Sequence, residues 1–139
     1  MKPPDVVKME FVRGWVRKAE DDFLAAKHLC VGGDDYVYGA TFHAQQAAEK
    51  YLKTFLVWHQ IEFPKTHDIN ALLKLAESAD SEIPHVLANA TELTPYGVEY
   101  RYPGDYPDTT IDDAKQAISL VTLVRSEVLS RLPAGVLQR

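Results

Sequence analysis

Between Leu93 and Thr110 the chain reads LTPYGVEYRYPGDYPDTT, a stretch that gathers side chains suited to holding an anion. It contains four of the seven tyrosines and three of the eight prolines, and Arg101 is the sole arginine between Arg17 and Arg125. A guanidinium is a fixed cation with a planar fork of donors that matches phosphate or carboxylate. The phenols of Tyr100, Tyr102 and Tyr106 beside it can donate, accept, or stack on a base. The same residues also admit a plain structural role. In that reading the tyrosines close the end of a bundle and Arg101 pairs with Glu99 or Asp105.

A second constellation lies upstream in His43-Ala-Gln45-Gln46-Ala-Ala-Glu49-Lys50-Tyr51-Leu52-Lys53. On a helix, Gln45, Glu49 and Lys53 recur every four residues and share a face, with Gln46 and Lys50 beside it. One account is a solvated face with ordinary ion pairs. The other is a polar strip that, with His67, orders the Arg101 segment or a partner. His43 reads as a hydrogen-bonded structural histidine. The five histidines form no His-x-x-x-His pair and Cys30 is alone, so a metal is not expected, nor is a cofactor. Glycine-rich phosphate loops and Gly-x-Ser-x-Gly are absent.

The elements that position these groups follow from composition and periodicity. At 139 residues the chain is long enough for one core, and the expected organisation is a single domain over 1–139 with its core at about 12–132. A net charge of −5 gives no global attraction for nucleic acid, so any such binding uses a local patch. Cys30 is the only cysteine, which excludes an internal disulfide and fits a reducing compartment. The N-terminal MKPPDVVKME lacks an apolar targeting core and no segment matches a membrane span, so a cytoplasmic protein is expected.

Apolar spacing predicts a helix over Val12–Cys30 with Trp15, Ala19, Phe23, Ala26 and Cys30 on its buried face, stopped at Gly32-Gly33-Asp34. A longer helix follows over Tyr36–Gln60. Its stripe of Val37, Ala40, Ala44, Ala48, Tyr51, Phe55 and Trp58 is widened by Phe42, Ala47, Leu52 and Leu56, which marks a central element. Two long helices joined by a short loop pack as a hairpin. Asp68 or Thr66 caps a short helix carrying Ile69, Leu72, Leu73 and Ala76. A further helix is expected from after Ser81 to near Pro95, with Pro84 in its first turn and Ile83, Leu87, Ala90 and Leu93 inside. Thr110 and Asp113 form a capping box for the last helix, with Ile111, Ala114, Ile118, Val121, Val128 and Leu132 on one side. No run alternates long enough for a strand. The fold class is all-α, an antiparallel up-and-down bundle of about five helices.

Several of these features occur together in an ordered set. They are Trp15 in an alanine-rich first helix, Gln45-Gln46-Ala47-Ala48-Glu49-Lys50-Tyr51-Leu52-Lys53, Thr66-His67-Asp68 before Leu72-Leu73, and Tyr100-Arg101-Tyr102-Pro103. The set resembles the HEPN domain family in its small stand-alone prokaryotic form. The resemblance implies an antiparallel helical bundle, commonly a homodimer. It also implies a metal-independent endoribonuclease or toxin whose motif is an arginine, a short spacer and a histidine. Arg101 matches the arginine, but positions 106, 107 and 108 are Tyr, Pro and Asp. An acid–base group near neutrality suits His, whereas a phenol ionises at roughly 10, so Tyr106 can hold a phosphate without shuttling its proton. Such proteins are often encoded beside a minimal nucleotidyltransferase in a toxin–antitoxin pair, where a HEPN tyrosine accepts a nucleotide. Three readings follow from the resemblance. The first is a dimeric nucleotidyltransferase partner that places Arg101, Tyr100, Tyr102 and Tyr106 on nucleotide or RNA phosphate. The second is a ribonuclease toxin whose acid–base residue lies elsewhere, at His67 or His43. The third is a non-catalytic dimerising scaffold.

Overall fold

Pro4 opens the first helix, where a missing N–H costs nothing, and the helix α1 runs over Pro4–Val31 in the computed structural model, which describes residues 2–98 and 108–138. Gly33 then adopts φ 87°, a left-handed turn that only glycine takes without strain. A single 3₁₀ turn, Asp34–Tyr36, leads into α2, Val37–Trp58. The two long helices form the expected hairpin. α1 starts eight positions before the apolar periodicity does, because its first two turns are mostly exposed and carry no stripe.

The buried face of α1 is Val12, Val16, Ala19, Phe23 and Ala26. Trp15 is therefore not part of that stripe. It stands partly exposed, edge-on to Phe63 with ring centroids 6.1 Å apart, and pins the connector after α2. Cys30 is likewise only partly buried, packed with Leu29 and Ile111 against Val37, Ala40 and Ala114.

α2 is the central element. Ala44, Ala47, Ala48, Tyr51, Leu52, Phe55 and Leu56 are all sealed from solvent. α1 and three later helices, α3 (Ile69–Ala76), α5 (Thr94–Val98) and α6 (Ile111–Leu129), pack around it, which uses the apolar width legible in its sequence. Trp58, at its end, is only partly buried and has the Lys8 ammonium 3.9 Å above its ring.

Asp68 caps α3 (Ile69–Ala76), its side chain accepting from the Asn70 N–H. The continuous helix expected from Ser81 to Pro95 is instead three pieces: one turn of α4 (Ile83–Val86), a 3₁₀ run over Ala88–Leu93, and α5 (Thr94–Val98). The spacing explains the difference. Leu87, Ala90 and Leu93 recur every three residues and all are buried, which lines up on a 3₁₀ face and drifts around an α-helix. The Thr110–Asp113 capping box opens α6, Ile111–Leu129. Its buried face is Ala114, Ala117, Leu120, Val121, Val124 and Val128, with Ile111 and Ile118 at the edge. Beyond α6, Leu132 and Val136 fold back onto the core, and Arg13 Nε donates to the Gly135 carbonyl at 3.0 Å. Among the described residues there are no strands, and no helix is long and apolar enough to cross a membrane.

Candidate functional site

The polar strip of α2 is buried, not solvated. Gln45 is 0% exposed, Glu49 4% and Lys53 9%, because α3, α5 and the 59–68 connector cover that side of the helix. Burying a carboxylate, an ammonium and an amide requires that each find a partner. Glu49 is the hub. Its Oε2 accepts from Lys53 Nζ at 3.1 Å, and its Oε1 accepts from Gln45 Nε2 at 3.3 Å and meets His67 Nδ1 at 2.7 Å. Gln45 Nε2 also donates to the His67 carbonyl at 3.2 Å, and Gln46 Nε2 donates to Gln45 Oε1 at 2.7 Å. Lys53 lies 5.6 Å from the Phe63 ring centre, so its charge is shared between a carboxylate and an aromatic face.

Gln45, Gln46, Glu49, Lys53 and His67 thus meet in one hydrogen-bonded group. The first four come from consecutive turns of one helix, which the sequence spacing places together. His67 comes from the connector and is brought in by the Asp68 cap beside it. A carboxylate acceptor on Nδ1 calls for a proton on that nitrogen, so in the neutral ring the lone pair is on Nε2. The His67 side chain keeps 60% of its surface in solvent while Glu49 behind it keeps 5%.

α5 closes the group from above. Thr94 Oγ1 accepts from the Ile69 N–H at 3.1 Å, tying α5 to the start of α3. Gly97 rests on Gln45 so closely that a Cβ there would lie 2.7 Å from Gln45 Oε1. On the far side of residues 99–107 the chain is held at Asp108, whose Oδ1 accepts from Tyr38 Oη at 3.3 Å. Tyr38 and Gln45 are seven positions apart on α2, about 10 Å along its axis. Arg101, Tyr100, Tyr102 and Tyr106 lie outside the described residues, as do Glu99 and Asp105.

A second ionic group, not singled out from the sequence as a unit, joins α1 to α2. Asp22 Oδ1 meets His43 Nδ1 at 2.8 Å, and Asp22 Oδ2 accepts from Lys50 Nζ. His43 is hydrogen-bonded, as expected, and its partner Asp22 is nearly buried. A third group ties three helices. Tyr51 Oη donates to Glu20 Oε1 at 2.5 Å, and Arg125 reaches both Glu20 oxygens at 2.5 and 3.1 Å. Burial, and then the Glu20 carboxylate, push the Tyr51 phenol far above its ordinary value, while the hydrogen bond to Glu20 holds Arg125 protonated. Tyr51 is the stripe residue that faces α1, so its hydroxyl could be expected to need a partner; a lone Glu20 in the sequence could not be matched to it.

Comparison with known proteins agrees with this architecture. The family model of the HEPN domain matches residues 12–131. No curated protein matches the chain. Among solved structures, TT1696 from Thermus thermophilus superposes with a TM-score of 0.75 at 28% identity, covering 87% of this chain and 98% of that one. ST0689, described as an archaeal HEPN homologue, gives 0.69 at 27% identity over 86% of this chain and 96% of its own. With a matching family model over most of its length and the same helical frame in both solved relatives, this chain belongs to the HEPN domain family.

Proposed function

We propose that this HEPN protein binds the phosphate of a nucleotide or RNA and works as the dimeric partner of a minimal nucleotidyltransferase in a toxin–antitoxin pair. The observation that carries the reading is the seat of α5 on the buried Gln45–Glu49–Lys53 group, which His67 joins from the surface. A buried polar group with every member partnered is rigid, and rigid supports hold binding loops in register. Arg101 follows Gly97 by four positions, so covalent reach keeps the Arg101 Cα within about 14 Å of the Gly97 Cα. Arg101 supplies the bidentate donors for phosphate, and Tyr100, Tyr102 and Tyr106 supply hydroxyls and stacking faces.

Titration with nucleotide and with single-stranded RNA tests the assignment. Arg101→Lys keeps the charge and loses the fork, so binding weakens while melting is unchanged. Arg101→Ala abolishes binding with little loss of stability. A parent protein that binds neither ligand, or an Arg101→Ala variant that melts well below it, overturns the reading and leaves the dimerising scaffold.

One observation favours a second reading, the metal-independent ribonuclease. His67 has its Nδ1 on a buried carboxylate and its ring exposed, the setting of an acid–base histidine, a role for which the phenol of Tyr106 is chemically unsuited. Cleavage of RNA in the presence of a chelator, lost in His67→Gln, would favour it over simple binding.

A further inference from the structure

All five histidines are described, and they differ in what stands behind the ring. His28 and His85 are exposed. His59 packs on Phe55 with ring centres 4.4 Å apart, and desolvation there, reinforced by Lys8, lowers its affinity for a proton. His43 has a carboxylate on Nδ1 but only 34% of its side chain in solvent. His67 alone among them combines a buried carboxylate on Nδ1 with an imidazole 60% exposed. Its Nε2 has no hydrogen-bond partner among the described residues.

We propose that His67 is a phosphoryl-accepting histidine, modified at Nε2 by a small phosphoramidate or acyl phosphate. The arrangement supplies what that reaction needs. Glu49 fixes the proton on Nδ1, so in the neutral ring the lone pair sits on Nε2, which no described residue engages. As the ring becomes cationic, the same carboxylate faces the Nδ1–H and stabilises the charge, which is how an adjacent base activates a weak nucleophile. Lys53 and Gln45 hold Glu49 in place, so no reorientation is required during transfer. With phosphoramidate, the Nε2 lone pair forms the N–P bond while the donor's own P–N bond breaks. The leaving nitrogen departs as ammonia with the three protons it already carries. The ring keeps its Nδ1 proton, and nothing is oxidised or reduced. The step uses neither Arg101 nor a nucleotide, so it stands apart from the binding function proposed above.

The test treats the full chain with potassium phosphoramidate at neutral pH and maps phosphohistidine by mass spectrometry without acid. His67 is expected to be labelled at least about tenfold faster than the exposed His28 and His85, which serve as internal references. Glu49→Gln should slow labelling at His67 by a similar factor and leave His28 and His85 unchanged. Nitrogen-15 shifts of the unmodified protein should show the His67 proton on Nδ1. Labelling of His67 no faster than His28 and His85 overturns the proposal, as does a proton on Nε2. So does a His67 rate unaffected by Glu49→Gln in a variant with native circular dichroism. Should that variant fail to fold, the rates within the parent protein and the nitrogen-15 shifts decide the matter alone.

Discussion

At position 97 the chain has room for a hydrogen and no more. An added methyl would press on Gln45 Oε1 at 2.7 Å, and Gln45 in turn positions Glu49 and the His67 carbonyl. Gly97→Ala should therefore destabilise the protein by about 1–3 kcal/mol, as overpacking does, read from the urea midpoint. It should also weaken any ligand bound through the α5 end more than its stability loss explains. Tyr51 is the other residue where one atom decides much. Tyr51→Phe removes a bond to a carboxylate inside the bundle and should cost about 1.5–3 kcal/mol. Its phenol is raised above 10.0 in the folded protein, so the folded state binds that proton more tightly. The stability it contributes is complete below 10.0 and falls as pH rises above it. Parent protein should lose stability steeply on that alkaline limb, and Tyr51→Phe should flatten the slope in thermal melts.

α2 sets the terms for the other elements. Its apolar residues extend around much of the helix, and its remaining side carries the polar strip, so a neighbour is required in almost every direction. That separates two aromatic residues which look equivalent on a helical wheel. Phe55 is fully buried, and Phe55→Ala should cost about 3–5 kcal/mol. Trp15 faces the connector and touches Phe63 edge-on, so Trp15→Ala should cost clearly less. It should show instead as faster proteolysis or amide exchange in residues 59–68, since the aromatic pair holds that segment. Equal urea midpoints for the two variants would contradict this division. The pieces between α3 and α5 are equally constrained. Apolar residues three apart select a 3₁₀ course, which turns the chain so that Thr94 meets Ile69 and Gly97 meets Gln45.

For the whole molecule, the apolar width of α2 suggests surface left over for a partner, but the bundle itself consumes it. Among the described residues, α1 carries more of the exposed large apolar side chains than any other element, at Val6, Val7, Phe11, Leu24 and Val31. With that surface available to a second copy, the protein is expected to be a homodimer at micromolar concentration by light scattering. A monomer there would remove the dimeric part of the proposed function.

The sequence by itself determined the helical class, the hairpin of the two long helices, the cap at Thr110 and the family, and it narrowed the cap before Ile69 to Asp68 or Thr66. These rest on local rules: periodicity, turn residues and side chains that bond their own backbone. It also placed Gln45, Glu49 and Lys53 on one face, because four-residue spacing does so on any helix. Whether that face met water was not a local matter. It was decided by α3, α5 and a connector arriving from elsewhere in the chain, and their arrival turned an ordinary row of charges into a closed group. The same holds for the carboxylates matched to His67, His43 and Tyr51. Those pairs join residues 18, 21 and 31 positions apart, and spacing of that length carries no pairing information until the helices pack.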